Sequence, residues 1–288
     1  MGLVRFSDGD GPVRPGYRVG DRVVALEDID GGRSVEEVLE SPADAETAAR
    51  DALGESGVDA PGEAEITLHR PVDPGTVVRL EGCYRQDVTD EGFNPRIEKD
   101  DLNEMDWPSS WTAPVSSTTG PGGPLTVPRY VSEVRPGLEL GLVVSREIRR
   151  WNGDALEEVV AGVTVGACLT IHDPLPGLEG YKMFDDAVAI GPRVTPLDAV
   201  SLDSTSLRLA VDGDRVATHR TDEWRFDPSE MLAHVSEILT LRPGDIVFTG
   251  DPTRTTTSVG DGDVVEATAG DVGTVAAPVR RDGRAKSP

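Results

Sequence analysis

Short alternations of hydrophobic and polar residues recur along most of the chain, and this pattern predicts β-strands. After Pro71 the apolar runs are short, rich in Val and Leu, and bounded by Gly and Pro, as is typical of strands joined by turns. The predicted strands of this part are Val77–Leu80, Leu125–Val127, Leu138–Val144, Gly162–Ala167, Ala187–Ile190, Leu207–Val211, Asp245–Thr249, Asp263–Ala267 and Gly273–Val279. Between two of them, Asp212-Gly213 predicts a hairpin turn, because Gly tolerates the positive φ that such turns require.

Helical spacing is confined to a few segments. The acidic, alanine-rich stretch Ser34–Leu53 and the stretch Pro228–Thr240 place apolar residues on one helix face, and Leu156–Val160 has a short helical pattern. The segment 54–65 is rich in Gly and Ala and predicts a loop. We therefore expect an α+β, β-rich protein with a small N-terminal domain over residues 1–70 and a larger domain over residues 71–288.

Composition restricts the possible partners. The 288-residue chain has 52 acidic and 28 basic residues and a formal net charge of -24, and its only lysines are Lys99, Lys182 and Lys286. An acidic surface repels phosphate backbones and anionic lipids, so we expect neither nucleic acid nor a membrane surface as a partner. An acidic, lysine-poor surface is also compatible with high salt, where screening removes self-repulsion, and it indicates a halophilic source.

Cysteine usage and the absence of a leader-like segment predict a cytoplasmic protein. The chain has two cysteines, Cys83 and Cys168, too few for the disulfide framework of a secreted domain. Its first residues show no charged segment followed by an apolar core, and no apolar stretch has the length of a bilayer span.

Five motifs, in order along the chain, indicate a family. The segment Leu241–Pro252, LRPGDIVFTGDP, is a strand between a Pro-Gly turn and a Thr-Gly end, and it resembles the L-x-P-G-D-x-x-x-T-G-T-P signature of the fumarylacetoacetate hydrolase family. Leu138–Val144 resembles the E-x-E-L strand of that family, Gly162–Asp173 its central strand, and Lys182–Pro192 its K-x-F-D loop. The Asp212-Gly213 hairpin matches the x-N-G-E turn of the family.

This resemblance implies a fumarylacetoacetase-like mixed β-sheet roll and a homodimer. Family members cleave or rearrange acidic 2-oxo acids and 1,3-dicarbonyl compounds, by hydrolysis, decarboxylation or isomerisation. A divalent cation, usually magnesium, holds the dicarbonyl oxygens, and a His in an N-Y-x-x-H motif activates water. Hard cations prefer carboxylate oxygens, and the base must titrate near neutral pH.

The resemblance places the metal ligands on positions that differ in this chain. The first glutamate of the paired-carboxylate strand is Gly137, and only Glu139 remains. The ligand aspartate of the central strand is Cys168, and a thiolate is a poor partner for magnesium. The expected magnesium site is therefore degenerate, with Glu139 and Cys168 as its remaining candidates.

The catalytic and substrate-binding positions that the resemblance implies are also partly changed. The motif around Tyr84 keeps the Tyr but has Cys83 at the Asn and Asp87 at the base His. An Asp with an ordinary pKa is a weak base at neutral pH unless burial raises that pKa. The remaining substrate-binding candidates are His172 in place of the family Arg, Thr249 and Gly250 of the signature turn, and Asp251 in place of its Thr.

Lys182 is the most informative candidate catalytic residue, because Arg replaces Lys almost everywhere else in the chain. A compact, rotatable ammonium can hold a carboxylate or enolate oxygen in a way that the planar guanidinium cannot. The alternative is a structural ion pair with Asp185 or Asp186.

Cys83, Cys168 and His172 leave three interpretations open. The cysteines are small buried residues that fill space left by lost polar ligands, or Glu139, Cys168 and His172 bind zinc, or His172 activates Cys168 as a nucleophile. At the level of function, two hypotheses remain. The chain is an enzyme of the family with altered chemistry, or it is a non-catalytic relative that keeps the fold and binds a ligand or partner.

Overall fold

Two long antiparallel strands form the centre of the protein. They are β9 (Val134–Val144) and β10 (Val160–Ile171), and every residue of β10 is buried. Strands covered on both faces have nearly continuous hydrophobic runs, which explains the sequence of both segments. The structure is a computed structural model that describes residues 1–29, 31–54, 58–85, 106–172 and 182–283.

The other elements of the described residues are short. The remaining strands are β1 (Gly2–Ser7), β2 (Arg14–Val19), β3 (Arg22–Ala25), β4 (Thr67–His69), β5 (Val77–Glu81), β6 (Ser109–Ala113), β7 (Thr118–Thr119), β8 (Leu125–Val127), β11 (Val188–Ile190), β12 (Thr195–Pro196), β13 (Ser206–Val211), β14 (Asp214–Arg220), β15 (Ile246–Phe248), β16 (Val264–Ala269) and β17 (Gly273–Arg281). The α-helices are α1 (Val35–Glu40), α2 (Pro42–Gly54) and α3 (Pro228–Ile238). No helix among the described residues is both long and apolar enough to cross a bilayer.

Within the described residues the strands form three sheets. One has the order β3-β2-β1-β4, the large central sheet has the order β6-β5-β15-β9-β10-β11-β7 with β12 beside β10, and the third has the order β14-β13-β16-β17-β8. Parallel pairs (β5 with β15, β7 with β11, β8 with β17) occur among antiparallel ones. The expected β-rich α+β fold with mixed sheets is confirmed.

The largest hydrophobic core lies between the central sheet, the third sheet and α3, with Leu140, Val165, Leu209, Leu232 and Val275 among its members. A second cluster joins the N-terminal helices to the other face of the central sheet. The backbone groups of Leu3 and Val194 also exchange two hydrogen bonds, of 3.0 and 2.9 Å. Because buried contacts cross residue 70, the division of the chain there stays a prediction.

The predicted elements agree with the structure, except in the extent of two helical segments. Each strand predicted after Pro71 overlaps an observed strand, and Asp212 and Gly213 have φ of 52° and 84° in the hairpin between β13 and β14. The predicted helix Ser34–Leu53 is divided into α1 and α2, and α1 begins with a capping box between Ser34 and Glu37. The short helical prediction 156–160 corresponds to a 3₁₀ helix over Leu156–Glu158, which ends there because Val160 already pairs with Val144 of β9.

Candidate active site

Four neighbouring strands of the central sheet bring charged residues to one edge. The strands β5, β15 and β10 end at this edge and β9 begins there, because β5 and β15 are parallel to each other and β9 runs opposite to β15 and β10. A pocket at this edge is lined by three basic side chains, Arg135, Lys182 and Arg254, and by two acidic ones, Glu81 and Asp251. Residues far apart in sequence therefore form one polar site through sheet topology.

A buried network of three charged side chains lies beneath the pocket. Arg79 and Glu139 have no exposed side-chain surface, and Lys182 is 5% exposed. The Nε and Nη2 atoms of Arg79 donate to Oε2 and Oε1 of Glu139 at 3.1 and 2.9 Å. Lys182 Nζ donates to Glu139 Oε1 at 3.2 Å, and Arg79 Nη1 donates to the backbone carbonyl of Lys182 at 2.9 Å.

These contacts keep all three groups of the network charged. Burial alone would raise the pKa of Glu139, but Arg79 and Lys182 lower it below its ordinary value. Burial alone would lower the pKa of Lys182, but Glu139 and Glu81 raise it. A buried ion pair is tolerated only when its geometry and hydrogen bonds offset desolvation, and the two-point contact of Arg79 with Glu139 meets that condition.

The two carboxyl groups that line the pocket have different surroundings. Asp251 Oδ1 accepts hydrogen bonds from the backbone nitrogens of Leu138 and Thr253, at 3.2 and 2.8 Å, and from Thr253 Oγ1 at 2.6 Å. Burial raises the pKa of Asp251, and Lys182 opposes that shift. Glu81 lies two residues beyond Arg79 in β5, and burial raises its pKa as well. The pKa values of both carboxyl groups are thus raised, whereas that of Glu139 is lowered.

The described residues do not fit the divalent cation that the resemblance implies. Both oxygens of Glu139 already accept hydrogen bonds from fixed cations. Position 137 has no side chain, and the space of its missing Cβ is filled, since an ideal Cβ would lie 2.3 Å from Asp251 Oδ2 and 3.1 Å from Cys168 Sγ. Burial raises the pKa of the Cys168 thiol, which keeps it neutral. Among the described residues no three His, Cys, Asp or Glu side chains are arranged to bind a metal.

We expect Gly137→Ala to destabilise the protein by about 1–3 kcal/mol, because the new methyl group must displace the Asp251 carboxylate. The matched control is Gly54→Ala at the end of α2, where an added Cβ meets nothing within 4 Å. Urea unfolding of both variants measures the difference. The loss of stability that Gly137→Ala causes should be smaller in a chain that already has Asp251→Ser than in the unmodified chain. Equal losses in the two chains would contradict the packing account.

Tyr84 and the signature turn form a wall of the site. The Tyr84 ring stacks on Trp224 with centroids 4.4 Å apart, and its hydroxyl lies 3.3 Å from Thr249 Oγ1. Thr249 is fully buried and contacts the Tyr84 hydroxyl, and its predicted contact with substrate stays a prediction. Gly250, with φ of 84°, lines the pocket, and an added Cβ would lie 3.0 Å from the backbone oxygen of Leu80. Its positive φ and this close approach explain the Gly of the turn.

The structure separates Cys168 from His172. Residues four apart in a strand lie about 13 Å apart along its axis, so these two side chains share neither a zinc ion nor a proton. Burial, with Arg135 nearby, lowers the pKa of His172 to about 4, and the ring lines the pocket in its neutral form. Cys83 and Cys168 are both buried. Of the three interpretations, the description of small buried residues agrees with the structure, and neither zinc binding nor the nucleophile assembles.

The alternative interpretation of Lys182, a structural ion pair with Asp185 or Asp186, does not agree with the structure. The Lys182 ammonium pairs with Glu139, while Asp185 accepts a hydrogen bond from Ser116 and Asp186 accepts one from Thr126. Asp87, the predicted base, lies outside the described residues.

Sequence reasoning missed four charged residues of the site, namely Arg79, Glu81, Arg135 and Arg254. For Arg79 a signal was present. It is the single charge inside the run VVRL, and a charge within a strand that is buried on both faces requires a partner.

Comparison with known proteins supports the assignment made from the motifs. Residues 76–280 match the family model described as fumarylacetoacetate (FAA) hydrolase C-terminal. An uncharacterised protein of Pyrococcus horikoshii is 29% identical over 190 residues, covering 63% of this chain and 78% of the relative. An oxaloacetate tautomerase of Xenopus laevis is 27% identical over 176 residues, covering 57% of this chain and 55% of the relative.

Solved structures show the same fold across the whole chain. Maleylpyruvate hydrolase from Sphingobium sp. SYK-6 superposes with a TM-score of 0.79 at 23% identity, covering 98% of this chain and 100% of the other. A second structure of that enzyme, in complex with manganese(II) and pyruvate, gives a TM-score of 0.77 at 24% identity, covering 98% and 99%. Since the family model spans more than half of the chain, the protein belongs to the fumarylacetoacetate hydrolase family.

Proposed function

We propose that this protein binds a small anionic 2-oxo acid or 1,3-dicarbonyl metabolite and catalyses proton transfer at the carbon beside its carbonyl groups. The observation that carries the proposal is the buried ammonium of Lys182, which lines the pocket together with Arg135 and Arg254. In a chain with a formal charge of -24, three basic side chains around one pocket favour an anionic ligand.

Lys182 is oriented to stabilise a negative oxygen. Within the described residues its ammonium donates one hydrogen bond, to Glu139, and an ammonium carries three donors. Two donors therefore remain for a carboxylate or enolate oxygen of the ligand. When a proton leaves the carbon beside a carbonyl, negative charge develops on the carbonyl oxygen, and an ammonium that is already held in position stabilises that charge.

Glu81 is the proton acceptor that the geometry favours. It lines the pocket beside Lys182, and burial raises its pKa towards the range in which a carboxylate works as a general base. Asp251 is less suited, because Oδ1 is held by three donors and Oδ2 faces Gly137 and Cys168. Asp87, which the family resemblance places at the base position, is the alternative acceptor.

Tautomerisation or isomerisation fits this site better than hydrolysis. Both need only a base, a proton donor and a stabilised enolate, whereas hydrolysis also needs an activated water. The family His that would activate water is Asp87 here, and the described residues do not assemble the metal centre. Relatives named as an oxaloacetate tautomerase and as a 2-hydroxyhepta-2,4-diene-1,7-dioate isomerase support acidic substrates and this type of reaction. The homodimer implied by the resemblance is likewise a proposal.

The second candidate is a non-catalytic relative that binds the same class of anion. It is favoured by the simultaneous changes at Gly137 and Cys168, which remove two of the three ligands that the resemblance implies.

The test follows proton exchange directly. The purified chain is incubated with pyruvate in D₂O and exchange of the methyl protons is followed by NMR, while the decay of enol absorbance follows the tautomerisation of oxaloacetate. We expect both rates to exceed those in buffer, and Glu81→Gln to reduce them by about 10²–10⁴-fold. Asp87→Asn is the matched control, and a loss confined to that variant would move the base to Asp87. A ligand-induced thermal shift without exchange would support the non-catalytic candidate. The absence of both a thermal shift and exchange would reject the proposal.

A further inference from the structure

We infer that the guanidinium of Arg79 takes the place of the divalent cation, so that this site binds its anionic ligand without a metal. The identity of that ligand rests on the proposed function, whereas the replacement of the metal rests on the buried network alone. Arg79 makes a two-point contact with Glu139, the one family carboxylate ligand that this chain retains.

The position of Arg79 opposes metal binding at Glu139. Lone pairs on both carboxylate oxygens accept N–H donors at 2.9 to 3.2 Å, from a guanidinium and an ammonium that are themselves buried. Among the residues that the structure describes, one acceptor site stays open, on Oε2, and a hard cation there would lie beside a buried guanidinium and a buried ammonium. To gain a second oxygen of Glu139 it would have to displace these donors and leave two positive groups buried without their partner, which is strongly unfavourable. The other two family ligand positions, Gly137 and Cys168, supply no charged oxygen.

Arg79 also replaces part of what a cation would contribute. With Lys182 it sets two positive charges against the single carboxylate of Glu139, so the network carries one positive charge in excess. Lys182 lines the pocket and presents that charge to a ligand, and Arg79 fixes Lys182 by donating to its backbone carbonyl at 2.9 Å. Arg79 therefore acts as a positioning residue through Glu139 and Lys182.

The presence of Gly137 where the family has a glutamate belongs to the same rearrangement, because the Asp251 carboxylate fills the space at this position. Asp251 comes from the loop after β15 and places Oδ2 where a side chain at position 137 would begin. A glutamate at position 137 and the present Asp251 cannot occupy this space together. The chain has thus closed the space of the former ligand while Arg79 holds the remaining one.

The first experiment uses the unmodified chain and reads metal directly. After treatment with EDTA and its removal, the chain is titrated with Mn²⁺ while the signal of free Mn²⁺ is followed by electron paramagnetic resonance. We expect no binding with a Kd below about 1 mM. Pyruvate binding, measured by calorimetry, should be the same within twofold in EDTA and in Mn²⁺. Stoichiometric Mn²⁺ binding, or pyruvate binding that requires Mn²⁺, would overturn the inference. If the chain binds neither Mn²⁺ nor pyruvate, the replacement of the metal stands and the proposed function fails.

The second experiment isolates Arg79. A variant with Gly137→Glu and Cys168→Asp restores the family ligands, and Asp251→Thr in the same variant makes room for the side chain at position 137. Adding Arg79→Ala then removes the guanidinium. We expect about one Mn²⁺ per chain only when Arg79→Ala is present, with circular dichroism confirming that both variants are folded. Tight Mn²⁺ binding by the variant that keeps Arg79 would show that the guanidinium does not block the site. In the otherwise unmodified chain, Arg79→Lys should retain pyruvate binding better than Arg79→Met, because it keeps the charge.

Discussion

Glu139→Gln is expected to lower the free energy of unfolding by about 3–5 kcal/mol. The amide removes the negative charge that bridges Arg79 and Lys182, both of which are buried. Its NH₂ group would also face an N–H donor, where the carboxylate oxygen accepts a hydrogen bond. Urea denaturation at constant salt measures the loss, since urea does not screen charges as guanidinium chloride does.

The control for this variant is Glu237→Gln at an exposed ion pair. Arg150 Nε lies 3.6 Å from Glu237 Oε1, and the two side chains are 70% and 65% exposed. An exposed pair of this kind contributes at most about 1 kcal/mol. If Glu139→Gln cost no more than Glu237→Gln, the buried network would not stabilise the fold as described.

The difference in unfolding free energy between the unmodified chain and Glu139→Gln should depend on pH. Since Arg79 and Lys182 hold the pKa of Glu139 below its ordinary value of 4.5 despite burial, its contribution to stability is present above that value. This contribution is lost as the pH falls through the pKa of the folded state. The difference in stability between the unmodified chain and Glu139→Gln should therefore narrow in acid.

Lys182→Met is expected to weaken pyruvate or oxaloacetate binding by about 10- to 100-fold, which corresponds to the loss of a charged hydrogen bond of about 1.5–3 kcal/mol. Lys182→Arg should give an intermediate loss, because the charge is kept but the planar fork does not reproduce the contact with Glu139. Isothermal titration calorimetry measures the affinities.

Arg150→Met is the matched control for Lys182→Met. It removes one positive charge from a side chain that is 70% exposed, so the net charge of both variants is the same. Equal loss of affinity in the two variants would indicate a general electrostatic effect and contradict a specific contact at Lys182. Urea unfolding of Lys182→Met separates lost binding from lost folding.

The sequence predicted the framework of the site well. Apolar runs located β9 and β10, the Asp-Gly pair located the hairpin, and the scarcity of lysine drew attention to Lys182. These features are local, since strand periodicity and turn chemistry depend on residues close in the chain. The ligand positions that the resemblance implies could be located because the surrounding motifs are present in the sequence.

The pairing of Arg79 with Glu139 could not be predicted in the same way. The two residues are 60 positions apart in sequence. They lie on β5 and β9, which are not adjacent, because β15 is inserted between them in the sheet. Their contact therefore spans two strand spacings, about 10 Å, and only a long side chain can make it. The contact of Asp251 with the space beside Gly137 likewise depends on a loop that comes more than a hundred residues later.

The most direct test of a metal-free, lysine-centred anion site is a crystal structure of the chain grown with both pyruvate and Mn²⁺. We predict the pyruvate carboxylate or carbonyl oxygen within hydrogen-bond distance of Lys182 Nζ, Arg79 still bound to Glu139, and no anomalous manganese peak at Glu139. A manganese ion bound to Glu139, with Arg79 moved away, would contradict this account.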